Sequence, residues 1–226
     1  MRLNKFIAQS GYCSRRKADQ LIIAGKVAID GRVTSELGTQ VDPINNKVTV
    51  EGYAIISPIT KVIIAFYKPI GILSSMSEEE GPSLIRYTEK MSPQRLFHVG
   101  RLDRESEGLL LLTNDGEYSH QISHPKFLIE KEYEIIAITE ISDAKIKELS
   151  KGVFLEDGLM KPLKIVRLGK RGVLITIHDG RNRILRRAFE SIGLEIEVLR
   201  RIRVGNIRLG ELKPGRWRHL SENESI

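Results

Sequence analysis

A run of four leucines, Leu109–Leu112, restricts the fold of this chain more than any other feature of its sequence. A short apolar run bounded by turn residues is typical of a buried strand, so we expect a strand that ends at Thr113. Just before it, one carboxylate, Asp103, stands between Arg101 and Arg104. A carboxylate held ionised beside cations can act as a nucleophile or a base, although these three residues would also suit a structural aspartate–arginine pair.

The composition limits the kind of protein. With 226 residues, 41% of them hydrophobic, the chain can form one medium-sized domain and a second, small one. Its single cysteine, Cys13, excludes a disulfide framework and a cysteine-rich metal site, and its five histidines lack the spacing of metal ligands. No apolar run approaches the roughly 18 residues that a membrane span needs. The N-terminus lacks the apolar core of a signal peptide, so we expect a cytoplasmic protein.

The net charge of +7 is distributed unevenly along the chain. Residues 1–52 carry 8 basic and 5 acidic side chains, residues 53–159 carry 12 and 17, and residues 160–226 carry 16 and 7. Basic ends on either side of an acidic middle favour a polyanion that is held at two places, and nucleic acid fits this description. An ordinary solvated basic surface is the alternative.

Residues 1–57 are predicted to form a small domain of two helices followed by short strands. Apolar residues at helical spacing indicate the first helix, a serine can cap the second, and a glycine can end it. Two short strands joined by an Asp-Gly turn follow. These features are carried by Leu3, Phe6, Ile7 and Gly11, by Ser14 and residues 15–24, by Gly25, and by residues 27–34. Residues 53–60, which include Pro58, are interpreted as a linker to a larger domain over residues 61–226.

Three cations, Arg15, Arg16 and Lys17, open the second helix. The helix dipole disfavours cations at that end, and a bound phosphate would offset this cost by meeting both the cations and the free backbone N–H groups. A tolerated surface run is an equally open interpretation. The segment resembles the S4-like RNA-binding module in residues 2–8, Gly11, residues 14–19, residues 25–27, residues 30–33 and Gly38. We therefore expect RNA binding by these three cations together with Arg2 and Lys5.

The larger predicted domain shows several strand patterns and few helices. Strands are expected over residues 62–67, 109–113, 132–138, 173–177 and 197–202, and helices from Ser142 to Leu149 and from Arg183 to Ile192. Mixed strands with few helices predict an α+β domain around one mainly antiparallel sheet. The expected fold class of the chain is therefore α+β, with a small N-terminal α/β domain.

Tyr133 is a candidate site residue in the strand predicted over residues 132–138. Its side chain projects opposite to those of Glu132 and Glu134, and since these carboxylates favour solvent, we expect Tyr133 to face inward. A core tyrosine is one interpretation. The other is an aromatic platform for a nucleotide base, with a hydroxyl that can take part in proton transfer.

Four arginines surround the start of the predicted helix over residues 183–192. Its apolar residues, which should pack on the sheet, are Leu185, Ala188, Phe189 and Ile192. The arginines that cover the remaining arc are Arg181, Arg183, Arg186 and Arg187. Because only Asp179 and Glu190 lie close by in the sequence, an RNA backbone or a catalytic carboxylate is the expected complement. A merely solvated face is the alternative.

Taken in order, these motifs resemble those of the RsuA-type pseudouridine synthases. The matching segments are residues 68–71, 100–116, 130–133, 180–190 and 199–215. Together with the N-terminal module, the resemblance covers nearly the whole chain. Relatives commonly carry glutamine where this chain has Ile184, a difference that could alter local packing but leaves the carboxylate untouched.

The resemblance implies isomerisation of uridine to pseudouridine in structured RNA, with neither a metal nor an organic cofactor. It makes Asp103 the nucleophile, which adds to carbon 6 of uracil or attacks carbon 1′ of the ribose. Tyr133 would stack on the target base and help remove the proton at carbon 5. Arg186 would pair with Asp103, with Arg183 as the second choice, and Leu185 would pack beneath the site.

The target uridine is expected to flip out of its helix, and Arg104 could fill the vacated space. Further contacts to the RNA backbone are expected from Arg101, Arg181, Arg183 and Arg187. Ribosomal RNA is the expected substrate, with 23S large-subunit RNA favoured over 16S small-subunit RNA, and a monomer is the default state.

Two other functions fit parts of the sequence. A non-catalytic RNA-binding or ribosome-assembly factor would explain the charge and the N-terminal domain, but not the joint presence of Asp103, Tyr133 and Arg186. A hydrolase such as a nucleosidase could also use Asp103, and it would release a free base.

Overall fold

A computed structural model describes residues 1–56, 60–221 and 224. The chain forms two compact units. The smaller comprises Met1–Val62, Ser92–Leu96 and Asn114–Gly116, and the larger comprises Ile63–Met91, Phe97–Thr113 and Glu117–Ile226. Within the described part of the chain, no helix has the length and apolar character needed to cross a membrane.

The smaller unit packs two helices against a four-stranded antiparallel sheet. Its elements are α1 (Leu3–Gln9), α2 (Arg15–Ile23), β1 (Val27–Ile29), β2 (Arg32–Thr34), β3 (Val48–Val50) and β4 (Tyr53–Ile55), and the strand order is β2-β1-β3-β4. Helices and strands share one core, formed by Leu3, Phe6, Ile7, Ala18, Leu21, Ile22, Val27, Val41, Val48 and Val50. The predicted cap is confirmed, because the Ser14 side chain accepts a hydrogen bond from the Lys17 N–H.

The structure corrects the start of the predicted linker, because β4 lies there and pairs with β3. Glu51 and Gly52 join these strands with φ angles of 50° and 87°, which suit a tight two-residue hairpin turn. Glutamate is uncommon in this left-handed conformation, so the sequence did not indicate the turn. The centre of the linker, residues 57–59, lies outside the described residues.

The larger unit is built on a nine-stranded sheet. Its strands are β5 (Ile63–Lys68), β6 (Phe97–Val99), β7 (Glu107–Thr113), β8 (Lys131–Ala137), β11 (Lys164–Leu168), β12 (Gly172–Ile177), β13 (Ile196–Val204), β14 (Ile207–Arg208) and β15 (Trp217–His219). A separate hairpin contains β9 (Val153–Leu155) and β10 (Gly158–Met160). The helices are α3 (Ile85–Met91), α4 (Gly116–Ser123, whose first residue belongs to the smaller unit), α5 (Asp143–Lys151) and α6 (Ile184–Ser191).

The main path of the sheet is β11-β12-β8-β13-β7-β5-β15, with β14 beside β13 and β6 beside β7. Among the described strands of this sheet, the pairs are antiparallel except β13 with β7. The prediction of an α+β fold around a mainly antiparallel sheet is confirmed. The predicted strands and helices are present within about two residues. The helix α3, the strand β11 and the short β6, β9, β10, β14 and β15 were not predicted.

The strand β7 lies in the middle of this sheet, and all seven of its residues are buried. On one face its leucines pack with Tyr67 of β5 and Ile122 of α4. The apolar residues predicted for α6, including Leu185 and Phe189, are buried as well. The sheet is therefore covered around β7, and the loop that enters β7 starts from a rigid base.

Candidate active site

Asp103 lies half-buried in the loop that leads into β7. Every backbone carbonyl from residue 101 to residue 105 accepts a hydrogen bond. In chain order, the donors are the Arg201 guanidinium (3.4 Å), the Ser74 hydroxyl (2.7 Å), the Ser106 N–H (3.1 Å), the Gly71 N–H (2.8 Å) and the Arg186 guanidinium (2.9 Å). Since most donors come from distant segments of the chain, the loop holds the Asp103 carboxylate in a defined position, as a catalytic group requires.

Gly108 allows β7 and β13 to approach each other closely next to this loop. A Cβ atom at this position would lie 2.8 Å from the Arg201 nitrogen and closer still to the Arg201 carbonyl oxygen. Its φ of 103° is also unfavourable for residues with a side chain. The glycine is therefore needed where the parallel pair forms, as expected for a position of close backbone approach.

Four residues lie in register across the strands β5, β7, β13 and β8. Lys68 pairs with Gly108, Gly108 with Arg201, and Arg201 with Tyr133. We call these four residues the site row. Residues in register point to the same face of a sheet, so the side chains of Lys68, Arg201 and Tyr133 share one face. Tyr133 is 8% exposed, which confirms the predicted inward orientation.

Lys68 is a fully buried cation of the site row. Its ammonium donates hydrogen bonds to the carbonyls of Pro69 (2.9 Å) and Ile72 (2.8 Å). Burial lowers the pKa of Lys68 to about 8, while the negative charges of Asp103 and Glu105 oppose this change. The positive charge of Lys68 therefore lies close enough to Asp103 and Glu105 to interact with both carboxylates.

Two further cations lie on the same face, the buried Arg201 and the half-buried Lys131. Arg201 donates to the Leu109 carbonyl at 2.7 Å. Lys131 donates to the carbonyls of Ile129 and His178, both at 3.2 Å. Burial and the nearby Arg201 lower the pKa of Lys131 to about 8, against the effect of Asp179. This face therefore holds three cations whose hydrogen bonds go to backbone carbonyls.

Arg186 contacts the Asp103 loop, but not in the predicted way. Its guanidinium donates to the Glu105 carbonyl and to the Ser106 hydroxyl (3.3 Å), while no ion pair with Asp103 occurs among the described residues. The predicted Asp103–Arg186 ion pair is thus wrong for this structure. Burial and Arg183 lower the pKa of Arg186, and Glu105 and Asp103 oppose them. Its Nε atom is buried without a hydrogen-bond partner.

The other arginines around α6 find carboxylates that the sequence did not indicate. Arg183 pairs with Glu105 (2.8 Å), and Asp157 in the β9–β10 turn pairs with both Arg181 (3.0 Å) and Arg187 (2.8 Å). These ion pairs hold the pKa of Glu105 and of Asp157 below the ordinary range. The expected complement, an RNA backbone or a catalytic carboxylate, is therefore not needed to satisfy these arginines, because Glu105 and Asp157 pair with them from distant parts of the sequence and Asp179 pairs with Arg181 at 2.6 Å.

Glu132 and Glu134 also differ from their predicted solvation. Glu134 pairs with Arg200 at 2.7 Å, and Glu132 lies 3.5 Å from Arg203. Arg200 pairs with Glu107 as well, at 2.8 Å. Pairing across strands, rather than free solvation, satisfies these carboxylates.

Apart from the arginines around α6, the predicted RNA-binding cations occupy two regions. Arg101 and Arg104 are exposed on either side of Asp103, and within the described residues their side chains form no ion pair. The remaining predicted cations lie in the smaller unit, at the start of α1 and α2. There Arg15 donates to the Asn4 side chain at 3.4 Å, whereas Arg16 and Lys17 are exposed.

The sequence reasoning assigned no role to Lys68, Arg201 or Lys131. A charged residue inside or at the end of an otherwise buried strand was the signal that could have revealed them. Such a residue must be paired, hydrogen-bonded or functional, because burying an unpaired charge is strongly unfavourable.

Comparisons with known proteins agree with this geometry. A family model described as RNA pseudouridylate synthase matches residues 62–191, and the S4 domain model matches residues 1–43. An RNA pseudouridine synthase of Aquifex aeolicus is 39% identical over 229 residues, which are 99% of this chain and 92% of the relative. The ribosomal large subunit pseudouridine synthase B of Bacillus subtilis is 38% identical, over 99% of this chain and 93% of the relative.

A solved structure extends this similarity to the fold. The crystal structure of a pseudouridylate synthase superposes with a TM-score of 0.72 at 28% identity. The match covers 99% of this chain and 97% of the other.

Proposed function

Because the chain belongs to the RNA pseudouridine synthase family, we propose that it isomerises a specific uridine of ribosomal RNA with Asp103 as the nucleophile. The observation that carries this proposal is the position of Asp103. It lies in a loop with every carbonyl hydrogen-bonded, next to a face that carries buried cations and Tyr133. A carboxylate held in a fixed position beside positive charge is suited to act as a nucleophile.

The reaction needs no external reactant. The bond between N1 of uracil and carbon 1′ of the ribose breaks, and a bond between carbon 5 and carbon 1′ forms. Carbon 5 loses its proton, and N1 gains one. Asp103 assists by adding to carbon 6 of the base or by attacking carbon 1′, and both routes regenerate the carboxylate.

Tyr133 and Arg186 support this step in different ways. Tyr133 stacks on the flipped base, and its hydroxyl takes part in proton removal from carbon 5. Arg186 acts as a positioning residue, because its contacts are to the backbone and hydroxyl groups next to Asp103. Leu185 packs beneath the base.

We propose 23S large-subunit RNA as the substrate, and a monomer acting in the cytoplasm. The relatives of Bacillus subtilis and Yersinia pestis, both named for the large ribosomal subunit, support this choice. In this scheme residues 1–57 form an RNA-binding domain and residues 61–226 the catalytic domain. Two attachment points raise the effective concentration of the RNA at the site.

The arginines expected to contact RNA fall into two groups, those without an ion pair in the described residues and those already paired with a carboxylate. Arg101 and Arg104 are available to phosphates, and Arg104 can occupy the space that the flipped uridine leaves. Arg181, Arg183 and Arg187 already pair with carboxylates, so RNA phosphates would have to compete with those carboxylates for the guanidinium groups. We therefore expect larger losses of RNA affinity from Arg101 and Arg104 than from these three.

The substitution Asp103→Asn tests the proposal, with Asp143→Asn as a matched control on the exposed start of α5. Tritium release from RNA labelled at carbon 5 of uridine measures turnover, and mapping of pseudouridines in ribosomal RNA identifies the product. We expect Asp103→Asn to lose turnover and retain RNA binding, whereas the control keeps both. Comparable turnover by Asp103→Asn would refute the nucleophile.

Two other outcomes identify the alternative functions. A wild-type chain that binds RNA but releases no tritium would be a binding or assembly factor. Free uracil among the chromatographed products would indicate a hydrolase.

A further inference from the structure

Three rings gather on the surface just before the strand that carries Tyr133. They belong to His120, His124 and Phe127, and together with Lys126 we call them the ring cluster. We propose that the ring cluster binds an unpaired nucleotide that flanks the modified uridine. This inference rests on the proposed function only in that the substrate is RNA.

The rings form an aromatic surface rather than scattered contacts. The centroids of His120 and His124 are 4.8 Å apart, and Phe127 stands edge-on to His120 at 5.7 Å and to His124 at 6.3 Å. The Lys126 ammonium lies 4.7 Å from the centroid of the Phe127 ring. Aromatic faces next to a cation are the combination that binds a nucleobase and its phosphate in single-stranded RNA.

Core packing does not require this arrangement. Both histidines and Lys126 are exposed, Phe127 is 40% exposed, and the adjacent Leu128 is 60% exposed. Within the described residues, Lys126 has no acidic partner. An exposed aromatic group with an unpaired cation is therefore available to an anionic ligand that has a flat ring.

The ring cluster is held in place by its own loop. The His124 Nδ1 accepts a hydrogen bond from the Lys126 N–H at 3.2 Å, at the start of the short 3-10 helix Pro125–Phe127. Leu128 follows in a left-handed conformation, with φ of 52°. Its carbonyl oxygen lies 3.2 Å from the His178 Nδ1, which donates in the tautomer protonated there. A preorganised surface binds with less loss of conformational entropy.

The position of the ring cluster determines which nucleotide it can reach. Its segment enters β8 at Lys131, two residues before Tyr133, and Tyr133 lies level with Gly108 near the start of β7. However, Ile122 of α4 packs on the face opposite to the site row. Phe127 precedes Tyr133 by six residues, and six residues of chain span at most about 20 Å. The ring cluster is therefore close enough to contact a neighbour of the target uridine around the end of the sheet.

Two measurements on full-length chains test the inference. The first is photo-cross-linking of a 4-thiouridine-substituted 23S RNA transcript to the Asp103→Asn chain, followed by peptide mapping. We expect cross-links in residues 120–128 even though this chain does not turn over. Their absence, while the smaller unit cross-links, would overturn the proposal.

The second measurement compares steady-state tritium release by Phe127→Ala, Phe127→Trp and Phe154→Ala. Phe154 is a matched control because it is 82% exposed and lies in the same unit. Loss of one stacked base predicts an increase in KM of about tenfold for Phe127→Ala with kcat unchanged. Phe127→Trp retains a stacking face and should keep the wild-type KM, as should Phe154→Ala.

The remaining outcomes also decide the question. Equal increases in KM for Phe127→Ala and Phe154→Ala would mean that any exposed ring has this effect. That result would refute the proposed role of the ring cluster. A defect of Phe127→Ala on ribosomal particles but not on protein-free RNA would indicate a protein partner instead. Failure of the wild-type chain to release tritium would sink the proposed function, yet the cross-links would still report on RNA binding.

Discussion

Two adjacent rows of the same sheet differ in the partners of their cations. In the site row, Lys68 and Arg201 donate to backbone carbonyls, and no carboxylate pairs with them in the described part of the chain. One residue away, on the other face, Arg200 pairs with both Glu107 and Glu134. We call these last three residues the paired row.

The difference separates structural cations from those available to a site. In the paired row, opposite charges neutralise each other across the strands, so the row exerts little field beyond itself. In the site row the carbonyls satisfy the hydrogen bonds but leave the positive charge uncompensated. That charge then acts on the Asp103 loop and on any polyanion that approaches this face.

The largest expected effect comes from breaking the close contact between β7 and β13 within the site row, with Gly108→Ala. A Cβ atom would meet the Arg201 backbone, and the alanine would also be strained at φ of 103°. We expect a loss of about 4 kcal/mol in the free energy of unfolding, measured in urea.

Gly100→Ala is the matched control for this substitution. It has φ of 69° with no neighbouring atom within 4 Å of the added Cβ. It should lose only about 1 kcal/mol, the cost of the left-handed backbone alone. Equal losses for both glycines would mean that the close approach of β7 and β13 is unimportant.

The next effect tests the paired row, with Arg200→Met. The substitution leaves Glu107 and Glu134 without their cation in a partly buried position. We expect a loss of about 2 kcal/mol in the free energy of unfolding, less than for a fully buried pair because solvent screens these groups. Turnover by the folded enzyme should stay within about twofold of wild type, since the paired row faces away from Tyr133. A large fall in kcat without loss of stability would reverse the proposed division between the rows.

How much of this contrast could be predicted depends on the range of the interactions. The strand at Leu109–Leu112, the inward Tyr133 and the Ser14 cap follow from neighbours in sequence, and all three are confirmed. The carboxylates of Asp157 and Glu105 reach their arginines only through the tertiary fold. No local pattern could have paired them.

The same limit applies to the site row and to the turn at Glu51. Lys68 was visible in the sequence, but its carbonyl acceptors and its influence on Asp103 depend on how three segments meet. The hairpin at Glu51 was missed because its residue type contradicts its conformation. Sequence patterns thus predicted the long central strands and the candidate nucleophile, but not the electrostatic surroundings of the nucleophile.

The smallest expected effect is a pH dependence in which the free energy of unfolding and kcat change in opposite directions. The pKa of Lys68 and of Lys131 is about 8 in the folded chain, against an ordinary value of 10.5. Below pH 8 both states hold the protons. Between pH 8 and 10.5 the unfolded chain still holds protons that the folded chain has lost, so the stability rises with pH. With allowance for solvent screening, we expect a gain of about 1 kcal/mol between pH 8 and 9.5.

Activity should change in the opposite direction over this range, because Lys68 loses the charge that acts on Asp103. A decrease of kcat by several-fold between pH 8 and 9.5, measured by tritium release, is the expected result. Lys131→Met is the control: it should lose part of the gain in stability but keep the alkaline decrease in kcat. Lys68→Met should lose part of the gain too, yet have low kcat at every pH. If both variants keep the wild-type pH profile of kcat, the site row does not act on Asp103 through its charge.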